Sequence, residues 1–561
     1  MLVRSSVATF FLSGRQVGGN NILTVGARWE PRGLQDNDFA TALSLTSLPH
    51  YFPHPRHSAD MDQSASPFDI TRPGYAGPLR VFHTATNRPL SHLESRIVRA
   101  FIERAQERLV HCFDHRAALD AQAMSQVALR LQQYISQHQA LISPLRRFPP
   151  EVLSEIFLHL TPRYNNDVGR DDLPIFLGGI CNYWRQIALS SPRLWSTISF
   201  RVDERNGKSR CELIKLFNSR SGACLLRVDY EDNHDGEWTQ DAQCCLQELM
   251  RSSNRWHTVT LRLPQIAYGF LSAIKYNLPE LQLLIVEPTS TIIDDEPLVF
   301  PPCDAFAAAP QLSDMTIGST DMIFMAPWAA LERYIVGWVE DGRYIQWLGQ
   351  CTRLVEVDIY FRHGAFPDVT VPAHLPCLEI LSLSGAPLGL LNSLTTPVLE
   401  RIEFIGYDHM DTRVYPSDLA SLVARSNCQI SELVLKGTLD ISDVDLITCI
   451  GLLPAIQTLI IHTDIEQPSP LTDLFIKALT LPTDLNGGAY SLALQLSIVE
   501  LAGSLEEGCD EELLLLMLKS RPRIYCLSVE EIELENTTKA ALEQYYAEGG
   551  LRYYFSETIE P

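Results

Sequence analysis

The sequence predicts an α/β chain, helical in its first third and then built from short strands that recur with a repeating unit. Three observations carry this. Apolar residues recur at helical spacing between residues 88 and 200. A triplet of apolar residues, spaced three and then two apart, recurs from Trp256 to Val529. The stretches between several triplets, such as Gln240–Arg251, Ser417–Arg425, Leu471–Leu479 and Glu511–Ser520, read as helices.

Residues 1–87 are rich in polar residues, Gly and Pro and show no sustained period, so a largely unstructured tail is expected. The first 29 residues hold Arg4, Arg15 and Arg28 and no acid, a composition compatible with a transit peptide. Gly14, Gly18, Gly19 and Asn20–Asn21 would interrupt an amphipathic helix there, and Met61 is an alternative start. His50, His54 and His57 cluster only loosely. In residues 88–142, Ile97, Phe101, Ala105, Leu109 and Phe113 lie four apart, and Met124, Val127, Leu131 and Ile135 continue an apolar face. With no proline between Pro89 and Pro144, this is a long amphipathic helix or a helical hairpin. Its heptad is too imperfect to establish a coiled coil. Its apolar stripe packs on the following helices or mediates self-association.

Residues 143–200 form the stretch on which the functional reading rests. Pro149 and Pro150 sit where a helix start tolerates proline, and Glu151 suits the positive end of the helix dipole. Val152, Leu153, Ile156, Phe157 and Leu160 follow at helical spacing. Leu177, Ile180, Cys181, Trp184, Ile187 and Ala188 repeat the pattern up to Pro192, and Leu194 and Trp195 follow at once. Two short helices bury little surface between them. A minimal hairpin with surplus apolar residues reads either as a docking module or as ordinary core helices.

The segment SPLRRFPPEVLSEIF and the later ICNYWRQIALSSPRLW, from Ile180 to Trp195, resemble the F-box of large fungal families. The insert Thr161–Leu173 is longer and more polar than the usual connection. The resemblance implies docking onto the small Skp-family adaptor and, through it, onto a cullin–RING ubiquitin ligase. Leu145, Pro149, Glu151, Val152, Ile156 and Phe157 would form the first docking element. Ile180, Trp184, Leu194 and Trp195 would form the second. Trp184 has a second reading, as a residue that holds the F-box together.

The triplets are Trp256–Val259–Leu261, Leu281–Leu284–Val286, Leu312–Met315–Ile317, Leu331–Tyr334–Val336, Leu354–Val357–Ile359, Leu378–Leu381–Leu383, Leu399–Ile402–Phe404, Ile430–Leu433–Leu435, Ile456–Leu459–Ile461 and Ile524–Leu527–Val529, with a poorer fit at Leu492–Ile498. Ten intervals separate Leu261 from Val529, a mean of about 27 residues. The last two residues of a triplet share one side of a strand, so stacked units line up a parallel sheet over one core. The array resembles the divergent leucine-rich repeats that often follow an F-box. It lacks their asparagine or cysteine after the triplet: Ala386, Tyr407, Thr438 and Asp464 stand there. The fold class is therefore α/β: a long helix, a helical F-box hairpin (143–200), an irregular leucine-rich-repeat solenoid with a curved parallel sheet (201–545), and a C-terminal tail (546–561).

The net charge of −23 disfavours generic nucleic-acid binding. The longest apolar runs are too short to span a bilayer. Thirteen dispersed cysteines without a C-x-x-C fit a reducing compartment, so the expected location is cytoplasmic or nuclear, with no membrane partner. No nucleotide-binding, nucleophile-elbow or H-E-x-x-H motif occurs, and no catalytic residue, cofactor or metal site is expected. The acidic runs Glu506–Glu512 and Glu530–Glu535 read as solvated faces or a surface for a basic partner. The implied role is substrate recruitment for a ubiquitin ligase, the repeats capturing an unknown protein substrate. The other reading is a repeat-protein scaffold that engages no ligase.

Overall fold

A computed structural model describes residues 11–17, 20–26 and 90–555, apart from 115–120, 162–171, 204, 233–237, 290–300, 319–321, 340–346, 362–371, 386–388, 408–411, 464–468, 482–491, 503–508 and 531–533. The chain divides into two units, Met1–Ser66 and Pro67–Pro561. In the first, Phe11–Val17 pairs antiparallel with Asn20–Gly26, Val17 opposite Asn20. This corrects the expected tail at that point. The rest of 1–87, with His50, His54, His57 and Met61, lies outside the described residues.

In the second unit, His92–Asp114 and Ala121–Leu141 are two helices packed on each other, so of the two readings the hairpin holds. Val98, Ile102, Ala105, Leu131, Tyr134, Ile135 and Leu141 form a core of their own between them. Leu93, Val110 and Leu129 stay exposed. Next come three helices, Pro150–His159, Leu173–Ile180 and Asn182–Ser190, where the apolar spacing predicts two. Cys181 is fully extended (φ −159°, ψ 166°) and breaks the second stretch in two.

The remainder is one 14-stranded sheet whose strands are hydrogen-bonded in chain order, each parallel to its neighbours. It runs from Thr197–Val202 to Tyr553–Phe555. The expected triplets fall into register. Val259, Leu284, Met315, Tyr334, Val357, Leu381, Ile402, Leu433, Leu459, Val499 and Leu527 form one buried row across eleven strands. Leu261, Val286, Ile317, Val336, Ile359, Leu383, Phe404, Leu435, Ile461 and Leu501 form the next. The four helices read between triplets form at Gln240–Met250, Pro416–Ser426, Asp473–Leu479 and Glu512–Ser520.

A backbone ladder fixes this register. The residue after each leading apolar residue donates its N–H to its counterpart one unit earlier: Gln282 to His257, Ser313 to Gln282, Glu332 to Ser313, and onward through Val355, Glu379, Glu400, Ser431, Gln457, Ser497 and Tyr525 to Arg552, at 2.7–3.0 Å. Three corrections follow. The poorly fitting unit is Leu496–Val499–Leu501, not Leu492–Ile498, because Ser497 is the ladder residue. Residues 546–555 are not a tail: Leu551 is buried, Arg552 joins the ladder, and Tyr553–Phe555 pairs with Cys526–Glu530. At the other end, Trp195–Ile198–Phe200 has the same spacing as a triplet, so the sheet begins within 143–200 rather than after it.

Candidate docking surface

The helical unit is built from its turn outward. The Ser143 hydroxyl accepts the Leu145 N–H at 3.3 Å and closes the Pro144–Arg147 turn. Pro149 caps the helix that Pro150 and Glu151 open, with no side-chain cap bond. On that helix Leu153 and Phe157, four apart, are buried. Val152 and Ile156, also four apart, form the neighbouring stripe and face outward, with Leu160 beyond them.

The structure divides the expected docking residues in two. Leu145, Val152, Ile156 and Ile180 keep 40–42% of their surface exposed, and Pro149 and Glu151 are exposed as well. Leu160, read from its spacing but not as a docking residue, adds further exposed apolar surface, as do Phe148 and Leu189, which the spacing does not mark. Phe157, Leu194 and Trp195 are buried, and this removes them from any docking face. Trp184 is half-buried, its ring 4.7 Å from that of Phe157, which matches the reading of Trp184 as a residue that holds the helices together.

Trp195 is where the helices join the sheet. Its indole N–H donates to the Ala188 carbonyl at 2.7 Å. Its ring meets Phe217 edge-on at 5.0 Å, on the helix Gly207–Arg220 behind the first strand. Leu153, Phe157, Leu177, Ile187, Leu194 and Trp195 thus belong to the same continuous core as the sheet. The Ser154 and Ser191 hydroxyls, 3.0 Å apart, tie the first helix to the Pro192 turn.

Tyr183 brings the remaining pieces together. Its hydroxyl donates to the Phe148 carbonyl at 2.9 Å, which sets the junction following Ile180 alongside the turn that carries Leu145 and Pro149. Desolvation and then the nearby Glu151 carboxylate raise its pKa above the ordinary phenol value. Arg146 is half-buried at the same place, and burial lowers its pKa. The middle of the insert, 162–171, lies outside the described residues.

The second candidate surface is the face of the sheet opposite the apolar rows. Alternation along each strand puts Asp229, Asp358, Ser382, Glu403 and Glu500 there. Ion pairs cross between strands: Arg262 with Asp229 (3.0 Å) and Glu287 (2.6 Å), Arg333 with Glu356 (2.7 Å), Arg401 with Glu432 (3.3 Å) and Lys436 with Glu403 (3.2 Å); the His462 ring and the Glu500 carboxylate share a hydrogen bond at 2.6 Å. Burial in the strand lattice raises the Asp358 carboxyl. Tyr360 and Tyr407 stack with ring centroids 6.4 Å apart and their planes inclined by 28°. The Glu506–Glu512 run is partly structural: Glu511 accepts the Glu535 N–H at 2.8 Å, and the Asp510 N–H donates to Asp473 at 2.8 Å. Glu506 to Gly508 lie outside the described residues, as do Glu531 and Glu533.

No protein-family model matches the chain, and no curated protein matches its sequence. Among the described residues no helix is long and apolar enough to cross a membrane, and no group of three or more His, Cys, Asp or Glu side chains is placed to hold a metal ion.

Proposed function

We propose that this protein is the substrate-recruiting F-box subunit of a Skp–cullin–F-box ubiquitin ligase. The helical unit docks the Skp-family adaptor, and the leucine-rich-repeat array binds a protein substrate on the polar face of its sheet. The protein catalyses no step itself. Tethering raises the effective concentration of ubiquitin at the target, and proximity supplies the acceleration.

The observation that carries this reading is the split of apolar residues in the helical unit. Leu153, Phe157, Leu177, Leu194 and Trp195 satisfy the core, yet Leu145, Phe148, Val152, Ile156, Leu160, Ile180 and Leu189 remain exposed. Core helices with no partner would place polar residues there. The fused core at Trp195 supports the second half of the reading, because it ties the docking helices to the sheet that would hold the substrate.

Pull-down of the Skp-family adaptor tests it. The intact chain is expected to bind, and the double variant Pro149→Ala/Ile180→Ala, still folded by circular dichroism, is expected not to bind. Failure of the intact, folded chain to bind would leave a repeat-protein scaffold whose helical unit engages no ligase.

A further inference from the structure

Two cysteines outside both surfaces face each other at close range. Cys211 lies on Gly207–Arg220 and Cys244 on Gln240–Met250, and their sulfurs are 2.7 Å apart. We propose that Cys211 and Cys244 form a reversible disulfide when the protein meets hydrogen peroxide, which makes this pair a redox-modification site that clamps the first two outer helices together.

The geometry is held from both ends. Near the helix starts the backbones approach so closely that a Cβ on Gly207 would lie 2.7 Å from the Asp241 Cβ. Near the helix ends Asn218 donates to the Glu248 carbonyl at 2.8 Å and accepts the Ser252 hydroxyl at 2.8 Å. A disulfide needs about 2.0 Å between sulfurs, a closure of about 0.7 Å. Cys245 also borders the pair: its buried thiol donates to the Gly207 carbonyl at 3.3 Å and interacts with the Cys211 sulfur.

The chemistry balances with the peroxide alone. Cys211 is buried and Cys244 only partly so, which makes Cys244 the first to react. Its thiolate attacks one peroxide oxygen, the O–O bond breaks, and hydroxide leaves. The Cys211 sulfur then attacks the Cys244 sulfenic acid, the S–O bond breaks, and that hydroxyl departs as water with the Cys211 proton. The hydroxide takes up the proton Cys244 lost, so two thiols are oxidised and one peroxide becomes two waters. Burial pushes the Cys211 thiol up to about 12, so Cys211 is not stabilised as a thiolate. A disulfide to such a thiol resists reduction better than one to an acidic thiol. In a reducing compartment it would be transient.

Peptide mapping tests the proposal. The native full-length chain is treated with hydrogen peroxide, its remaining thiols are alkylated, and it is digested. The expected product is a cross-linked peptide pair carrying Cys211 and Cys244, about 2 Da lighter than the two thiol peptides together and separated by reductant. The link is expected to persist in Cys245→Ser. In Cys211→Ser, Cys244 should instead advance to the sulfenic and sulfinic acids. Recovery of Cys211 and Cys244 in separately alkylated peptides would overturn the proposal. So would a Cys244–Cys245 link, or a bond to the exposed Cys377 of a second molecule.

Discussion

Single arginines tie neighbouring units of the stack together. Arg521 is buried, and its guanidinium donates to the carbonyls of Leu479, Leu492 and Ala493 in the preceding unit. Arg425 bonds Leu391 and Leu394 in the same way, and Arg255 bonds Asn218, Ser221 and Cys224. Burial draws the Arg521 pKa down to about 10, which leaves it charged at neutral pH. Arg521→Ala strands those carbonyls and should cost about 3 kcal/mol in urea unfolding. Arg521→Lys should restore little, because an ammonium cannot span the fork. Asp473 gives a pH test. The Lys477 ammonium, then the Asp510 N–H, hold its pKa down to about 2. Its contribution is present above the unfolded value of about 4 and lost as pH falls through the folded one. Acid unfolding curves of Asp473→Asn should be flatter between about pH 4 and 2 than those of the wild type.

Elements were legible where a period was long and clean. The triplets placed ten strands because two apolar residues two apart mark one face of a strand. The ladder residue carries no side-chain signature, so the Leu496 unit was read four residues early. Tyr553–Phe555 was missed because a three-residue strand gives no pattern. The first strand was hidden because Trp195 completes the F-box-like motif and also opens Trp195–Ile198–Phe200. In the helical unit, spacing could list the apolar residues but could not say which neighbour claims each. Phe157 faces Trp184, and Val152, one residue before Leu153, faces outward. Phe157→Ala should therefore destabilise the chain by about 3–5 kcal/mol, against less than about 0.5 for Val152→Ala, read by denaturant unfolding.

At the scale of the whole molecule, each strand of the sheet bonds only its neighbours in sequence, so contacts are local and stability is passed from unit to unit. Amide exchange followed by mass spectrometry should show the end strands, Thr197–Val202 and Tyr553–Phe555, losing protection before Ile380–Ser384 at the centre. Uniform exchange along the sheet would contradict a stack of locally held units. The helices at Pro150–Ser190 share the core of the first strands, so loss of Trp195 should deprotect both together.

The central claim is that the exposed apolar residues, not the buried ones, form an adaptor-docking face. Titration of purified Skp-family adaptor into the intact chain and into Val152→Ala/Ile156→Ala, with thermal melts of both, tests it most directly. The account predicts saturable binding by the intact chain, a loss of tenfold or more in affinity for the variant, and unchanged melting. Equal affinity for both folded proteins, or no binding by either, would contradict it.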